Sequence, residues 1–260
     1  MKSINAAFFD LDGTIYGFES HQISDQTKIA INRLKQNQIK VLVASTRPLA
    51  TIGQIEGIFD LPWDGFITAN GQEIWDADRQ RLLDLGLSRE QLDPIFEISA
   101  RHSIPVYTGG EGGVFYTMDT PAVQRHKAKY NIPVDLVKPY EHEKQTLITL
   151  ISDTPIDASL YQHIQGIHLV RSHTYDLDVV KDNVTKARGI DEWMRMQGYP
   201  TGNYMAFGDS LSDLEMIEQA AVGVAMEDGE DALKQAADYI CPSCQQDGVY
   251  VFLKEQGYLK

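Results

Sequence analysis

The sequence predicts an α/β protein in which a parallel sheet forms the core and an α+β cap domain is inserted into it. Strand-sized apolar runs alternate with helical patterns up to about residue 82 and again after about residue 181, which is typical of a parallel sheet with crossover helices. Between these portions the pattern changes to hairpins and short helices. We therefore expect core residues 1–82, cap residues 83–181 and core residues 182–260.

The first core portion has the rhythm of a Rossmann-like sheet. Its first strand is an apolar run that ends at Asp10, and Ser24 is a suitable N-cap for a helix over 25–37. The run 39–44 is apolar almost throughout, as expected of a central strand buried on both faces. A third strand is expected over 63–69, so strands and helices alternate here.

The cap and the second core portion are assigned in the same way. The cap pattern predicts helices over 88–102 and 157–165, a short helix from Thr120-Pro121, a hairpin of strands 104–108 and 113–118, and strands over 146–151, 167–171 and 175–180. The second core portion predicts helices over 186–197, 212–220 and 231–237 and strands over 204–207, 222–225 and 239–240. The two core portions are expected to share one sheet.

Charge and composition narrow the classes of partner. The chain has 260 residues, 43% of them hydrophobic, and a formal charge of −14, which opposes non-specific binding to nucleic acid or anionic lipid. No apolar run approaches the ~20 residues of a membrane helix, and Met1 leads into a strand without the apolar region of a signal peptide. We expect a cytoplasmic protein with no nucleic-acid or membrane partner; the sequence does not give its oligomeric state.

The end of the first strand carries an unusual pair of acids. Asp10 and Asp12 are two residues apart, so they share one face if the strand persists that far. Two carboxylates on one strand tip repel each other, and their burial is costly unless a cation or a shared proton compensates. Gly13 and Thr14 then turn the chain and leave backbone N–H groups able to meet an anion.

A second group of charged residues follows strands of the later core portion. Asp209 stands at a strand end and Asp213 lies one helical turn further, so both can face one hard cation such as Mg²⁺. Lys186 opens a helix, where the macrodipole disfavours it unless an anion is bound. Taken singly, each has an ordinary alternative: a turn residue, an acid at a helix start and a solvated lysine.

Ser45 and Asn70 also follow predicted strands, and sites in open α/β sheets form beyond the carboxyl ends of strands. Taken in their order along the chain, the motifs at Asp10 to Thr14, Ser45, Lys186 and Asp209 to Asp213 resemble those of the haloacid dehalogenase superfamily of phosphohydrolases. The insertion between the second and third motifs is similar to that of the Cof-type sugar-phosphatase-like branch. The residues that carry the resemblance are Asp10-Leu11-Asp12-Gly13-Thr14, Ser45, Lys186, Gly208-Asp209 and Asp213, with Asn70-Gly71, Val224-Ala225-Met226 and Asp247-Gly248-Val249 in support.

The resemblance implies a role for each residue. Asp10 would be the nucleophile that forms an aspartyl-phosphate, and Asp12 the general acid and base. Mg²⁺ would bind the carboxylates of Asp10 and Asp209 and the main-chain carbonyl of Asp12, with Asp213 in support. The phosphate would be held by Ser45, Lys186, the backbone at Leu11 and around Thr46, and the Ser212 side chain. Apart from the resemblance, two interpretations stay open for Arg47 and Asn70: contact with a substrate or stabilisation of loops.

The function predicted in this way is a Mg²⁺-dependent phosphatase for small phosphorylated metabolites, with sugar phosphates as one candidate class. Three positions depart from the common motifs: Thr46 replaces glycine, Ser212 replaces asparagine, and Glu227-Asp228 replaces Gly-Asn. Two alternatives stay open, the second of them because of these departures. One is a phosphomutase acting on a sugar phosphate, and the other is a non-catalytic regulatory module that binds a phospholigand.

Overall fold

The computed structural model describes residues 4–111, 113–132, 134–171 and 175–259. Among them the strands are β1 (Ala6–Phe9), β2 (Lys40–Ala44), β3 (Gly65–Thr68), β4 (Glu73–Asp76), β5 (Arg81–Asp84), β6 (Val106–Gly110), β7 (Gly113–Tyr116), β8 (Gln145–Leu150), β9 (Ile167–Arg171), β10 (Leu177–Lys181), β11 (Tyr204–Gly208), β12 (Val222–Met226) and β13 (Tyr239–Cys241). The α-helices are α1 (Asp25–Gln36), α2 (Leu49–Ile52), α3 (Arg89–Arg101), α4 (Pro121–Tyr130), α5 (Lys186–Met196), α6 (Leu214–Gln219), α7 (Asp231–Ala236) and α8 (Gly248–Glu255).

The chain forms two compact units. The first consists of Met1–Thr46, Ile55–Asp84 and Thr185–Lys260, and the second of Arg47–Gln54 and Leu85–Val184. The segment Arg47–Gln54 thus belongs with the inserted residues, although it directly follows β2 in sequence.

The first unit is built on an eight-stranded sheet in the order β13-β12-β11-β1-β2-β3-β4-β5. The strands from β13 to β3 are parallel, and β4 and β5 add an antiparallel edge. All residues of β1 are fully buried, because helices cover both faces of a central parallel strand. Trp193 of α5 packs edge-on against Phe8 of β1 with ring centroids 5.8 Å apart, so this helix and the central strand share one apolar core.

The second unit contains a five-stranded antiparallel sheet in the order β7-β6-β8-β10-β9. Its apolar core joins α3 to one sheet face, with Phe96 and Ile95 of the helix buried near Ile148 and Leu150 of β8. The predicted fold class, an α/β core with an inserted α+β domain, is confirmed. Gly112, in the predicted cap hairpin, lies outside the described residues.

Several elements differ from the prediction. The β4–β5 hairpin and α8 were not predicted, because Glu73–Asp76 and Arg81–Asp84 are short and charged, and α8 follows a run of polar turn residues. The helix predicted over 157–165 is wrong: only a 3₁₀ turn forms, over Ala158–Tyr161. Within the predicted range only Tyr161 and Ile164 are buried, too few apolar contacts to stabilise a longer helix.

None of the helices in the described part of the chain combines the length and the apolar character needed to cross a membrane.

Candidate active site

Four neighbouring parallel strands, β11, β1, β2 and β3, end at the same edge of the first sheet. Asp10 follows β1, Ser45 follows β2, Asn70 follows β3 and Asp209 follows β11. The register pairs Phe9 with Val43 and with Phe207, so the residues beyond them emerge side by side. Sequence-distant polar residues are therefore concentrated at one edge.

Lys186 joins the two halves of the site through a buried ion triad. Its Nζ lies 2.6 Å from Asp10 Oδ1 and 2.6 Å from Asp213 Oδ1. The lysine and Asp213 side chains are 1% and 0% exposed, respectively, so these bonds form away from water. Charge-assisted bonds of this kind are stronger and more directional than surface ion pairs.

The position of Lys186 follows from the local sequence. Thr185 is the N-cap of α5: its Oγ1 accepts a bond from the Arg188 N–H at 3.2 Å and donates to Glu215 Oε2 at 2.8 Å. The cap starts the helix directly after Thr185 and places Lys186 in its first turn. The expected electrostatic penalty of a cation there is offset by the two carboxylates that it contacts.

Burial and the charges of neighbouring carboxylates raise the pKa values of Asp10 and Asp209. Burial, with the Asp213 carboxylate in addition, raises the pKa of Asp10 to about 7, although Lys186 opposes the shift. Burial together with the charges of Asp10 and Asp213 also raises the pKa of Asp209 well above its ordinary value. Burial alone would lower the pKa of the Lys186 amine, but Asp10 and Asp213 raise it.

Asp209 is held by the turn that follows β1. Thr14 Oγ1 donates to Asp209 Oδ1 at 2.8 Å. Gly13 has φ +88°, and a Cβ built on it would lie 2.4 Å from Asp209 Oδ2, so a side chain there would occupy the place of the carboxylate. Thr14 was predicted only as a turn residue whose backbone N–H could meet an anion. That N–H instead donates to the Leu11 carbonyl at 3.1 Å, and the side-chain bond to Asp209 was not predicted.

Asp213 is fixed on several sides at once. Its Oδ2 accepts bonds from the N–H of Asp209 at 3.2 Å, from the N–H of Ser210 at 3.0 Å and from Ser210 Oγ at 3.0 Å, while Oδ1 accepts from Lys186. Ser210 and Asp213 form a reciprocal capping box. This contact was missed from the sequence, although a serine three residues before an acid is the usual signal for it.

Ser212 has a different contact from the one predicted by the resemblance. Its Oγ lies 2.8 Å from Ser210 Oγ, and it is half-buried. Because Ser210 Oγ donates to Asp213, the Ser212 hydroxyl is the donor in this pair. A role in binding phosphate stays a prediction.

Asp12 and Leu11 lie in the turn after β1. Asp12 is half-buried, in contrast to the buried Asp10. Leu11 has a fully buried side chain, and its carbonyl accepts bonds from the N–H groups of Thr14, Ile15 and Tyr16 at 3.1, 3.0 and 2.8 Å. These bonds close a compact turn that keeps Asp12 next to the end of the strand.

Ser45 and Asn70 are joined through the backbone. The Asn70 N–H donates to the Ser45 carbonyl at 3.1 Å, and both residues are buried. Asn70 Oδ1 is buried without a hydrogen-bond partner among the described residues. Thr46 is half-buried. Arg47 belongs to the second unit, where its guanidinium donates to the Tyr130 carbonyl at 3.0 Å.

The donor set fits a hard divalent cation. One carboxylate oxygen from each of Asp10, Asp209 and Asp213 lies within 4.8 Å of the others. With all three ionised, the single ammonium group of Lys186 leaves two negative charges unbalanced, and burial together with this excess raises the pKa values of Asp10 and Asp209. Carboxylate oxygens are the ligands that Mg²⁺ prefers. Because Asp213 is engaged by Lys186 and Ser210, Asp10 and Asp209 are the better candidates for direct ligands.

A buried lysine beside carboxylates that could hold a metal ion, beyond the ends of parallel strands, gives this α/β protein the charges that an enzyme acting on a phosphoryl group needs. The chain belongs to the haloacid dehalogenase-like hydrolase family, whose model matches residues 7–253. The predicted family is thereby confirmed, and this match together with relatives named phosphatases confirms the predicted class of enzyme, a phosphate hydrolase.

Two relatives come from Bacillus subtilis (strain 168). The chain is 27% identical over 243 residues to a 5-amino-6-(5-phospho-D-ribitylamino)uracil phosphatase, with 92% of this chain and 90% of that protein covered. It is 29% identical over 258 residues to a putative phosphatase, with 97% and 98% covered. Among solved structures, a sugar phosphatase of HAD subclass IIB superimposes with a TM-score of 0.86 at 25% identity, covering 98% of this chain and 99% of that one.

Proposed function

We propose that this protein is a Mg²⁺-dependent phosphatase that hydrolyses small phosphorylated metabolites through an aspartyl-phosphate intermediate on Asp10. The observation that carries the proposal is the position of Lys186 Nζ, 2.6 Å from Asp10 and buried with it. A phosphate monoester carries about −1.5 to −2 charges, so a carboxylate nucleophile needs a cation beside it to approach phosphorus. Lys186 supplies one such cation.

In the first half-reaction, an Asp10 carboxylate oxygen would attack phosphorus and form an acyl-phosphate bond. The bond from phosphorus to the substrate oxygen breaks, and that oxygen takes a proton from the Asp12 carboxyl group. Asp12 is suited to this role because it is half-buried and two residues from the nucleophile. Lys186 would hold the charge that develops on the transferring group.

In the second half-reaction, water would attack the phosphorus of the aspartyl-phosphate. Asp12, now ionised, takes a proton from that water, the acyl-phosphate bond breaks, and inorganic phosphate leaves with Asp10 restored. The Ser45 hydroxyl and the backbone N–H groups near Leu11 and Thr46 would orient the phosphate oxygens through both steps.

Mg²⁺ would be held by the carboxylates of Asp10 and Asp209 and by the Asp12 carbonyl, with Asp213 supporting Asp209 through its backbone N–H. When bound, the ion would neutralise the excess negative charge of the site and favour the ionised form of Asp10 that attack requires. The fixed positions of Thr14 and Ser210 favour this arrangement, because they orient Asp209 and Asp213 before any ligand arrives.

The substrate class we propose is phosphate esters of sugars or sugar-alcohol chains. One relative is named for a phosphoribityl compound and the subclass IIB structure is named a sugar phosphatase, so both names describe a phosphate on a hydroxylated carbon chain. At 27% and 25% identity these names support the chemical class and not a single compound. The residues 83–181 would form the cap that selects within it, and the cytoplasmic location stays a prediction.

The proposal is tested by measuring phosphate release from a panel of phosphorylated sugars, sugar alcohols, nucleotides and p-nitrophenyl phosphate, with Mg²⁺ and with EDTA. Asp10→Asn is the diagnostic variant, and Asp25→Asn is its control, because Asp25 is an exposed acid at the start of α1. We expect turnover only with Mg²⁺, its loss in Asp10→Asn and its retention in Asp25→Asn.

Two results would overturn the proposal. Unchanged Mg²⁺-dependent turnover in Asp10→Asn would exclude Asp10 as the nucleophile. Conversion of a sugar phosphate into an isomer without release of phosphate would replace the phosphatase by a phosphomutase.

A further inference from the structure

The turn between β3 and β4 has an unusual backbone. Ala69, Asn70 and Gly71 have φ values of +49°, +58° and +91°, so three consecutive residues lie in the left-handed region. Glycine enters this region freely and asparagine with little difficulty, whereas alanine does not. Such a turn persists only where surrounding contacts determine its shape, and it is found preferentially near functional sites.

The contacts that determine it connect two of the candidate phosphate-binding residues. On one side, the Asn70 N–H donates to the Ser45 carbonyl at 3.1 Å. On the other side, Gly71 lies against the start of α5: a Cβ built on Gly71 would be 2.0 Å from the Thr185 carbonyl oxygen and 3.1 Å from the Lys186 nitrogen. The turn therefore contacts the backbone of both residues.

A second glycine completes the contact from the helix side. Gly189 lies one turn after Thr185 in α5, and a Cβ built on it would be 3.1 Å from Gly71 Cα and 3.2 Å from the Gly71 carbonyl oxygen. The two backbones pack here without side chains between them. The distance from the turn to the first turn of α5 is thus set by backbone atoms, which yield less than flexible side chains.

We propose that the Ala69–Gly71 turn is a positioning element for Lys186, and that Gly71 is the positioning residue within it. The inference rests on the proposed function. Any side chain at Gly71 must push the Thr185 carbonyl oxygen, 2.0 Å from the built Cβ, away by about 1.4 Å to reach an ordinary contact distance of 3.4 Å. Lys186 moves with that carbonyl, because the two groups share a peptide bond, and its 2.6 Å contact with Asp10 is then lost. Misplacement by about 1 Å reduces catalysis by on the order of 100-fold.

The chain supplies a matched control at the other end of the same helix. Gly198 follows α5 with φ +74°, and nothing lies within 4 Å of a Cβ built on it. Gly71→Ala and Gly198→Ala therefore impose the same kind of backbone strain, but only the first displaces Lys186. We expect kcat/KM for p-nitrophenyl phosphate with Mg²⁺ to fall on the order of 100-fold in Gly71→Ala and to stay within about threefold in Gly198→Ala.

A double-mutant cycle distinguishes action through Lys186 from general damage. The affinity for inorganic phosphate in the presence of Mg²⁺ is measured for the wild type, Gly71→Ala, Lys186→Met and the double variant. We expect Gly71→Ala to weaken phosphate binding about tenfold when Lys186 is present and not at all in the Lys186→Met background. An equal effect in both backgrounds would overturn the inference.

If Gly71→Ala does not fold, Gly189→Ala takes its place, because its Cβ meets the Ile67 Cγ2 methyl at 2.5 Å and presses on Gly71 with an ordinary helical φ. Folded Gly71→Ala or Gly189→Ala protein with the activity of Gly198→Ala would reject the positioning role. A wild type that releases no phosphate from any substrate with Mg²⁺ would instead reject the proposed function, and the inference with it.

Discussion

Asp10→Asn is expected to abolish turnover and, in the same protein, to increase stability at neutral and alkaline pH. The Asp10 carboxylate is buried beside Asp213 and near Asp209, so the folded state resists its ionisation. Its pKa of about 7 lies above the ordinary 3.8. Asparagine keeps the shape and an oxygen that can accept the bond from Lys186, and it removes the charge.

The sign follows from proton linkage. Because the folded state holds the Asp10 proton more tightly than the unfolded state does, the unfolding free energy of the metal-free protein falls as the pH rises from about 4 to about 7. At 1.36 kcal/mol per unit of pKa, the difference between 3.8 and about 7 amounts to at most about 4 kcal/mol above pH 7. The asparagine variant does not lose this unfolding free energy, because it has no carboxyl group to ionise at position 10.

Urea denaturation in EDTA checks the expectation. The variant should be more stable than the wild type by a few kcal/mol at about pH 8, and this advantage should shrink towards about pH 4. Mg²⁺ should raise the stability of the wild type more than that of the variant, because the variant lacks one carboxylate ligand. A stability difference that does not change with pH would refute the electrostatic reasoning.

Three further outcomes are expected from single substitutions. Lys186→Met leaves the Asp10 and Asp213 carboxylates buried without their cation. Urea denaturation at about pH 8 should show an unfolding free energy lower by about 3–5 kcal/mol, and kcat/KM should fall on the order of 100-fold or more. An unchanged unfolding free energy and an unchanged kcat/KM would contradict the role of the ion triad. Thr14→Val removes the 2.8 Å hydrogen bond to Asp209, and calorimetry should show Mg²⁺ binding weakened about 10- to 100-fold. An unchanged Mg²⁺ affinity would show that Thr14 does not orient the Asp209 carboxylate. Ser212→Ala should leave KM within about twofold of the wild-type value, because the Ser212 hydroxyl bonds to Ser210. A tenfold rise in KM would show that Ser212 contacts the phosphate.

Much of the fold could be read from local patterns. The strands β1, β2 and β3 are apolar runs of four or five residues, and α1 begins after Ser24, whose Oγ accepts from the Thr27 N–H at 3.1 Å. Such signals depend on neighbours in sequence, which is why they can be recognised without the structure. The β4–β5 edge hairpin was not predicted, because its short charged strands have no local pattern and depend on pairing with β3.

The candidate site could also be predicted only in part from the sequence. The spacing of Asp10 and Asp12 and the four-residue step from Asp209 to Asp213 indicated acids that could face one cation, and the structure places Asp10, Asp209 and Asp213 within 4.8 Å of one another. The contacts of Thr14 and Ser210 were missed, because a hydroxyl in a turn has many possible partners and only the packed structure selects one.

The sequence by itself determined which residues carry the charge and, to within one residue, where the strands β1, β2, β3 and β11 of the site end, because side-chain periodicity and turn residues act over a few positions. Only the tertiary structure decided that Lys186 bonds Asp10 across 176 residues of chain, and that Gly71 must be bare for α5 to approach. Both depend on the register of parallel strands and on helix packing. These long-range contacts make the acidic strand end part of a buried site in which the Lys186 ammonium group has a fixed position.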